Sequence, residues 1–209
     1  MTSTVDQSTT PVTRSWRAAL LTIAIMLVGC ADDRTAVGPL PDNAVILAFG
    51  DSITYGTGVS TAESYPAQLA RLTGFEVVNA GVPGETADQG LVRLPALLDE
   101  FRPDLVVLCH GGNDILRNRP ESRTEQDLRR MVEVIRGSGA RVLLIGVPRK
   151  SLFLATAPVY ARVAEELDVP FVDDVLADVL GNGDLKSDAV HPNAAGYRTI
   201  AERIAEAVE

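Results

Sequence analysis

Between residues 43 and 209, short apolar runs alternate with segments of helical pattern, and this alternation constrains the fold more than any other feature of the chain. The apolar runs are rich in Val, Ile and Leu without polar alternation, which is typical of strands buried on both faces of a parallel sheet. Such strands connect through right-handed helical crossovers, so helices cover both faces of the sheet. The chain is therefore predicted to be an α/β protein with five mostly parallel strands, at residues 45–49, 76–79, 105–109, 142–147 and 170–172.

The segments between the apolar runs carry recognisable helix signals. One helix is predicted to begin near Ser64, with Pro66 in its first turn, and to stop at Gly74. A second opens with a capping-box pattern at residues 86–89, and Pro95 inside it predicts a kink or a break. Three further helices are expected at residues 124–135, 158–167 and 194–208.

The first thirty residues differ in character from the rest of the chain. Two basic residues, Arg14 and Arg17, precede an apolar run of 12 residues at positions 18–29. A membrane-spanning helix needs about 20 apolar residues. The run is too short for that and is typical of a secretory signal peptide. The folded domain is therefore predicted to occupy residues 44–209.

The end of this run, Leu27-Val28-Gly29-Cys30, resembles the lipobox of bacterial lipoproteins, in which cleavage precedes a cysteine that receives a diacylglycerol. The resemblance implies a signal peptide at residues 1–29 and a tether at residues 30–43 that begins with lipidated Cys30. The protein would then be anchored on the periplasmic or extracytoplasmic side of a membrane. Ala31, rather than an aspartate, follows the cysteine, which favours the outer membrane in a two-membrane bacterium. An ordinary signal peptide that contains a cysteine, or a start codon placed too far upstream, is the alternative.

Charge and cysteine content exclude some classes of function. The net charge is −9, from 19 basic and 28 acidic residues, and no long cluster of Lys or Arg offsets it. This charge argues against a nucleic-acid partner. With Cys30 acylated, Cys109 has no partner, so no disulfide is expected despite the exported location. Cys109 closes an apolar run and is interpreted as a small buried hydrophobic residue.

Polar loops follow three of the predicted strands, and a fourth loop precedes the last helix. The carboxyl ends of parallel strands meet at one edge of a sheet, where reactive groups gather. We therefore expect these four loops to lie together. They contain Ser52 after Gly50-Asp51, Gly84 within NAGVPGET, Asn113 within HGGND, and Asp188 and His191 within SDAVHPNAAGY.

The residue types in these loops fit acyl transfer by a serine. A serine hydroxyl needs a base, and the chain has two histidines, His110 and His191. Asp188 precedes His191 by three residues, close enough to fix its tautomer and orientation. The Ser52 N–H, the Gly84 N–H and the Asn113 amide are candidate donors to an oxyanion. Each motif alone also fits an ordinary turn or helix start, but the four together in order are specific.

The set Gly-Asp-Ser, Asn-Ala-x-x-x-Gly-x-Thr, Gly-Gly-Asn-Asp and Asp-x-x-His-Pro resembles the four sequence blocks of the SGNH hydrolases, also called the GDSL family. Stretches such as SYPAQLA and TEQDLRRM resemble its thioesterase I/lysophospholipase/arylesterase branch. The resemblance implies a flavodoxin-like three-layer α/β/α sandwich and a serine esterase or thioesterase without metal or cofactor. It assigns Ser52 as nucleophile, His191 as base, Asp188 as its orienting acid, and Ser52, Gly84 and Asn113 as oxyanion donors.

The substrate is less constrained by the sequence. The loops at residues 115–122 and 148–158 are candidates for an acyl pocket, with Ile115, Leu116, Leu152, Phe153 and Leu154 as its apolar residues. For the second loop, a helical turn buried under the last helix is equally compatible. Small acyl, aryl and lysophospholipid esters are the expected substrates. A carbohydrate O-acetyl esterase, or a non-catalytic acyl- or glycan-binding envelope lipoprotein, is the alternative. A flavin or nucleotide binder is disfavoured because the first turn lacks a glycine-rich phosphate-binding pattern.

Overall fold

The computed structural model describes residues 1–2, 4, 35–150 and 154–208. Its five strands are β1 Val45–Gly50, β2 Glu76–Gly81, β3 Leu105–Cys109, β4 Arg141–Ile145 and β5 Phe171–Val172. The helices of the described residues are α1 Ser52–Tyr55, α2 Tyr65–Thr73, α3 Ala87–Phe101, α4 Gly112–Leu116, α5 Glu121–Gly137, α6 Pro158–Leu167, α7 Val175–Gly181 and α8 Ala194–Val208, with short 3₁₀ turns at Thr61–Glu63 and Gly183–Leu185.

All five strands form one parallel sheet in the order β2-β1-β3-β4-β5. This is the strand order of the flavodoxin-like doubly wound fold, in which successive strands are added first on one side of β1 and then on its other side. The sheet and its flanking helices confirm the predicted three-layer α/β/α architecture. The reversal places the end of β1 between the ends of β2 and β3.

The strands owe their burial to their position in the sheet. Every residue of β3 is buried, as is all of β1 after its first residue. The prediction that all strands are buried on both faces is wrong for β2, which contains no fully buried residue. β2 is an edge strand, paired only with β1, so its apolar side chains are covered from fewer sides.

Helix α3 runs without interruption past Pro95, so the predicted break does not occur. A proline inside a helix removes the hydrogen bond to the carbonyl four residues earlier, here that of Leu91. Pro95 lies on the exposed face of α3, where water can satisfy that carbonyl.

The sequence also failed to predict α1, α4 and α7, which have between four and seven residues. Helices this short lack a readable apolar period.

Part of the predicted tether contacts the domain. The Val37 N–H donates to the carbonyl of Ala207 at 2.8 Å, and the Arg141 guanidinium donates to the carbonyls of Val37, Gly38 and Pro39 at 2.9–3.3 Å. Residues 37–39 therefore lie against the end of α8 and the start of β4. Cys30 and the apolar run before it lie outside the described residues. Within the described part of the chain, no helix has the length and apolarity to span a bilayer.

Candidate active site

Ser52 is the first residue of α1 and is separated from the end of β1 by Asp51 alone. The side chain of Asp51 caps α1 by accepting the Ile53 N–H at 3.1 Å, which fixes the turn between β1 and Ser52. A Cβ at Gly50 would lie 2.2 Å from the carbonyl oxygen of Cys109. Because only glycine fits there, β1 and β3 stay paired up to the residue before this turn. The serine hydroxyl is thus held at the carboxyl edge of the sheet.

His191 connects Ser52 to Asp188. Its Nε2 lies 3.0 Å from Ser52 Oγ, and its Nδ1 lies 2.8 Å from Asp188 Oδ2. Asp188 Oδ1 accepts the N–H groups of Val190 and His191 at 2.8 and 2.9 Å. The hydrogen bonds from the His191 side chain and the Val190 N–H hold the pKa of Asp188 below its usual range. An ionised carboxylate only accepts, so the histidine proton lies on Nδ1 and Nε2 is free to accept the serine proton.

Asn113 lies in α4, which begins where β3 ends. The Gly111 backbone has φ +102°, a left-handed conformation that suits glycine, and it turns the chain toward Ser52. The Asn113 amide donates to Asp51 Oδ2 at 3.2 Å and to the Glu85 carbonyl at 3.0 Å. The next residue, Asp114, is fully buried and accepts the Ala87 N–H at 2.8 Å, which ties α4 to the start of α3.

Asp51 is 4% exposed, and this burial raises the pKa of its carboxyl despite the opposing hydrogen bond from the Ile53 N–H. Its two oxygens are used separately, Oδ1 by the helix cap and Oδ2 by Asn113. Asp51 therefore couples the position of Ser52 to that of Asn113, a role that the sequence interpretation did not assign.

Gly84 lies in the loop after β2 with φ +80°, and its carbonyl accepts Arg117 Nη2 at 2.8 Å. It directly precedes Glu85, whose carbonyl accepts the Asn113 amide. Gly84 is not among the residues that line the described part of the cavity beside Ser52. Its role as an oxyanion donor stays a prediction.

A cavity of about 290 Å³ opens beside Ser52. It brings together Ser52, Asn113 and His191 with three of the predicted pocket residues, Ile115, Leu116 and Leu154. Leu152 and Phe153, also predicted, lie outside the described residues. The other lining residues are Asp51, Ile53, Gly112, Val147, Pro148, Arg149, Lys150, Leu180, Ala189 and Val190.

The sequence analysis missed part of this wall. Val147 follows β4 and directly precedes the predicted pocket loop at residues 148–158, so applying the strand-end rule to that strand would have found it. Leu180 comes from the unpredicted helix α7, and no sequence signal placed it here.

A larger hollow, of about 540 Å³, lies near the amino ends of β3 and β4. Its walls include Arg102, Asp104, Ser138 and Arg141. Among the described residues no histidine lies beside Ser138 in this hollow, so it lacks the base that activates a serine.

Comparison with known proteins assigns the family. Residues 48–199 match the GDSL-like Lipase/Acylhydrolase family. The chain belongs to this family. Esterase TesA of Pseudomonas aeruginosa is 34% identical over 197 residues, which cover 87% of this chain and 95% of that protein. Thioesterase 1/protease 1/lysophospholipase L1 of Escherichia coli is 33% identical over 172 residues, covering 78% and 83% of the two chains. A crystal structure of TesA superposes with a TM-score of 0.71 at 33% identity, covering 77% of this chain and 95% of that one.

Membership of the GDSL family confirms the resemblance drawn from the four sequence blocks, including the likeness to thioesterases and lysophospholipases. The GDSL-family chain is a serine hydrolase that acts on ester bonds. Both relatives are matched over more than four fifths of their length.

Proposed function

We propose that this protein hydrolyses small acyl esters and thioesters with Ser52 as nucleophile, His191 as general base and Asp188 as the residue that orients His191. The observation that carries the proposal is the continuous chain of contacts from Asp188 Oδ2 to His191 and on to Ser52 Oγ, at 2.8 and 3.0 Å. Both distances lie within hydrogen-bond reach, the first requirement for a nucleophile and its base.

In the first step, His191 Nε2 takes the Ser52 proton while Oγ bonds to the ester carbonyl carbon. The carbonyl oxygen becomes an oxyanion, which the N–H groups of Ser52 and Gly84 stabilise together with the Asn113 amide, whose longer bond to Asp51 Oδ2, at 3.2 Å, is exchanged for one to the oxyanion. His191 then gives its proton to the leaving alcohol or thiol, and an acyl-serine remains. A water molecule, deprotonated by His191, attacks the acyl-serine, and the proton returns to Ser52 as the acid departs.

The cavity walls favour an acyl chain of short or moderate length. Ile115, Leu116 and Leu154 offer apolar contacts beside the nucleophile. A volume of about 290 Å³ lies just below the usual range for small-molecule sites, roughly 300–1,000 Å³. Arg149 and Lys150 line the same cavity and suit a polar or anionic leaving group. The apolar side chains of Ile115, Leu116 and Leu154 beside the nucleophile do not favour an acetylated sugar.

The test is the rate of hydrolysis of p-nitrophenyl esters by the purified chain, from acetate to palmitate. We expect kcat/KM to be highest for short acyl groups and to fall for laurate and palmitate, because the longer chains exceed the cavity. Leu116→Ala should lower kcat/KM for hexanoate by about tenfold and for acetate much less, because only the longer chain reaches that side chain. Val92→Ala is the matched control, since Val92 is 82% exposed and absent from the cavity wall. Equal rates across all chain lengths, or no turnover of any ester, would contradict the proposal.

We further propose that Cys30 carries a lipid and holds the enzyme on the outer side of a bacterial membrane, most consistent with the outer membrane. The support is the sequence of residues 14–31 alone. When the full chain is expressed in a bacterium and partitioned in a phase-separating detergent, wild type should enter the detergent phase. Cys30→Ser should stay in the aqueous phase, while Cys109→Ala, which removes the other cysteine, should behave like wild type. Wild type that stays in the aqueous phase would rule out the lipid anchor.

A further inference from the structure

A polar cluster of Glu85, Arg93 and His110 lies beside the candidate site, and no step of the proposed reaction uses it. His110 is fully buried, and its Nε2 lies 3.1 Å from Glu85 Oε2. Arg93 donates to the same carboxylate from Nε at 2.8 Å and from Nη2 at 2.7 Å. The His110 and Arg93 bonds together lower the pKa of Glu85 against the effect of its burial.

The tautomer of His110 follows from its neighbours. The Gly111 N–H lies 3.1 Å from His110 Nδ1, and a backbone N–H can only donate. Nδ1 is therefore the acceptor, and the ring proton lies on Nε2, where it is donated to Glu85. His110 acts as a rigid spacer with one acceptor and one donor, both of them satisfied.

The cluster contacts the segments that carry the predicted oxyanion donors. The backbone carbonyl of Glu85 accepts the Asn113 amide at 3.0 Å. Arg93 Nη2 donates to the carbonyls of Gly50 and Ala80, at 3.2 and 2.8 Å, at the ends of β1 and β2. Gly50 lies two residues before Ser52, and Gly84 directly precedes Glu85. A change in the position of Glu85 would therefore be transmitted to all three donors.

Helix α3 is shaped around His110. A Cβ at Gly90 would lie 2.4 Å from His110 Nε2, so any larger residue at that position would displace the ring. Glycine inside a helix lowers helix stability. The His110 ring also lies 5.5 Å from the Phe49 ring, which Arg93 covers on a face at 4.3 Å.

We propose that His110 is a positioning residue for the oxyanion hole: by donating to Glu85 it fixes the carbonyl that holds the Asn113 amide in place. This inference rests on the proposed function, in which Asn113 stabilises the oxyanion. It assigns His110 no contact with the substrate.

Two substitutions separate the two bonds of His110. In His110→Gln, the side-chain amide reaches about as far as Nε2 and can still donate to Glu85. In His110→Asn, the shorter side chain can still accept the Gly111 N–H but does not reach Glu85. We expect His110→Asn to lower kcat by about 10- to 100-fold with little change in KM, since small displacements of a catalytic group cost rates of this order. His110→Gln should stay within about threefold of wild type.

A trifluoromethyl ketone forms a tetrahedral adduct whose oxyanion occupies the hole. Its inhibition constant should rise in His110→Asn by the same factor as kcat/KM falls, a change that a loss of stability alone would not produce. Equal losses in the two variants, or no loss in His110→Asn, would overturn the proposal. If His110→Asn does not fold, Glu85→Ala tests the same bond, because it removes the carboxylate oxygen that accepts from His110 Nε2 and keeps the backbone carbonyl that accepts from Asn113.

A second measurement does not depend on turnover. The side-chain amide resonances of Asn113, assigned with Asn113→Ala, should shift in His110→Asn and stay in place in His110→Gln. Unchanged resonances in both variants would overturn the positioning role. If wild type hydrolysed no ester while the resonances moved as expected, the proposed function would fail and the positioning of Asn113 by His110 would stand.

Discussion

Ser52→Ala is expected to abolish ester hydrolysis, lowering kcat by about 10⁴-fold or more, the magnitude found when a serine nucleophile is removed from a comparable triad. The physical reason is that no other hydroxyl is within reach of His191 Nε2 at the 3.0 Å seen for Ser52, among the contacts of the described residues. The measurement is the initial rate on the short-chain p-nitrophenyl ester that wild type prefers.

The fold should tolerate this substitution. Asp51, not Ser52, caps α1, and alanine is a strong helix former at the position that follows a cap. The melting temperature should therefore stay close to that of wild type. Ser122→Ala is the matched control, because Ser122 is an exposed helical serine outside the cavity and should keep full activity. A fluorophosphonate should add its mass to wild type and to Ser122→Ala but not to Ser52→Ala. Retained turnover or labelling in Ser52→Ala would show that another residue is the nucleophile.

The sheet and the triad contacts could be predicted because both depend on local patterns. Four of the five strands contain an apolar run, while β2 is interrupted by Asn79. The strand-end rule then places Ser52, Asn113 and the histidine loop at one edge of the sheet. The contact between Asp188 and His191 follows from a separation of three residues. The contact between His191 and Ser52 spans 139 positions and could be inferred only through the fold.

The parts that escaped prediction depend on packing between distant segments. Nothing in the sequence near Glu85 indicates that its carboxylate meets Arg93 and His110 while its carbonyl meets Asn113. Gly90 lies inside α3, where glycine lowers helix stability, and the reason for it is the His110 ring that packs against it. Likewise, Leu180 could be predicted as part of the cavity wall only if the position of α7 were known.

Asp188→Asn is expected to lower kcat by about 10³- to 10⁴-fold, an effect of the histidine tautomer rather than of lost packing. In the wild type, Asp188 Oδ1 accepts two backbone N–H groups and Oδ2 accepts the proton of His191 Nδ1. An asparagine oxygen can keep the two backbone bonds, which leaves its NH₂ group facing Nδ1. His191 Nδ1 must then accept, so the ring proton moves to Nε2 and points at Ser52, where a base is needed.

The backbone bonds that survive in Asp188→Asn predict a folded protein with an unchanged loop. The melting temperature of Asp188→Asn should therefore stay close to that of wild type, which distinguishes it from a variant that has lost activity by unfolding. Asp184→Asn, an exposed carboxylate in the same stretch of chain, is the matched control and should keep wild-type activity. The Asp188 carboxylate holds the His191 tautomer with one oxygen while the other accepts two backbone N–H groups. The longer side chain of Asp188→Glu cannot keep both sets of bonds, so this variant should also lose activity. A loss of less than about tenfold in Asp188→Asn would mean that another group orients His191.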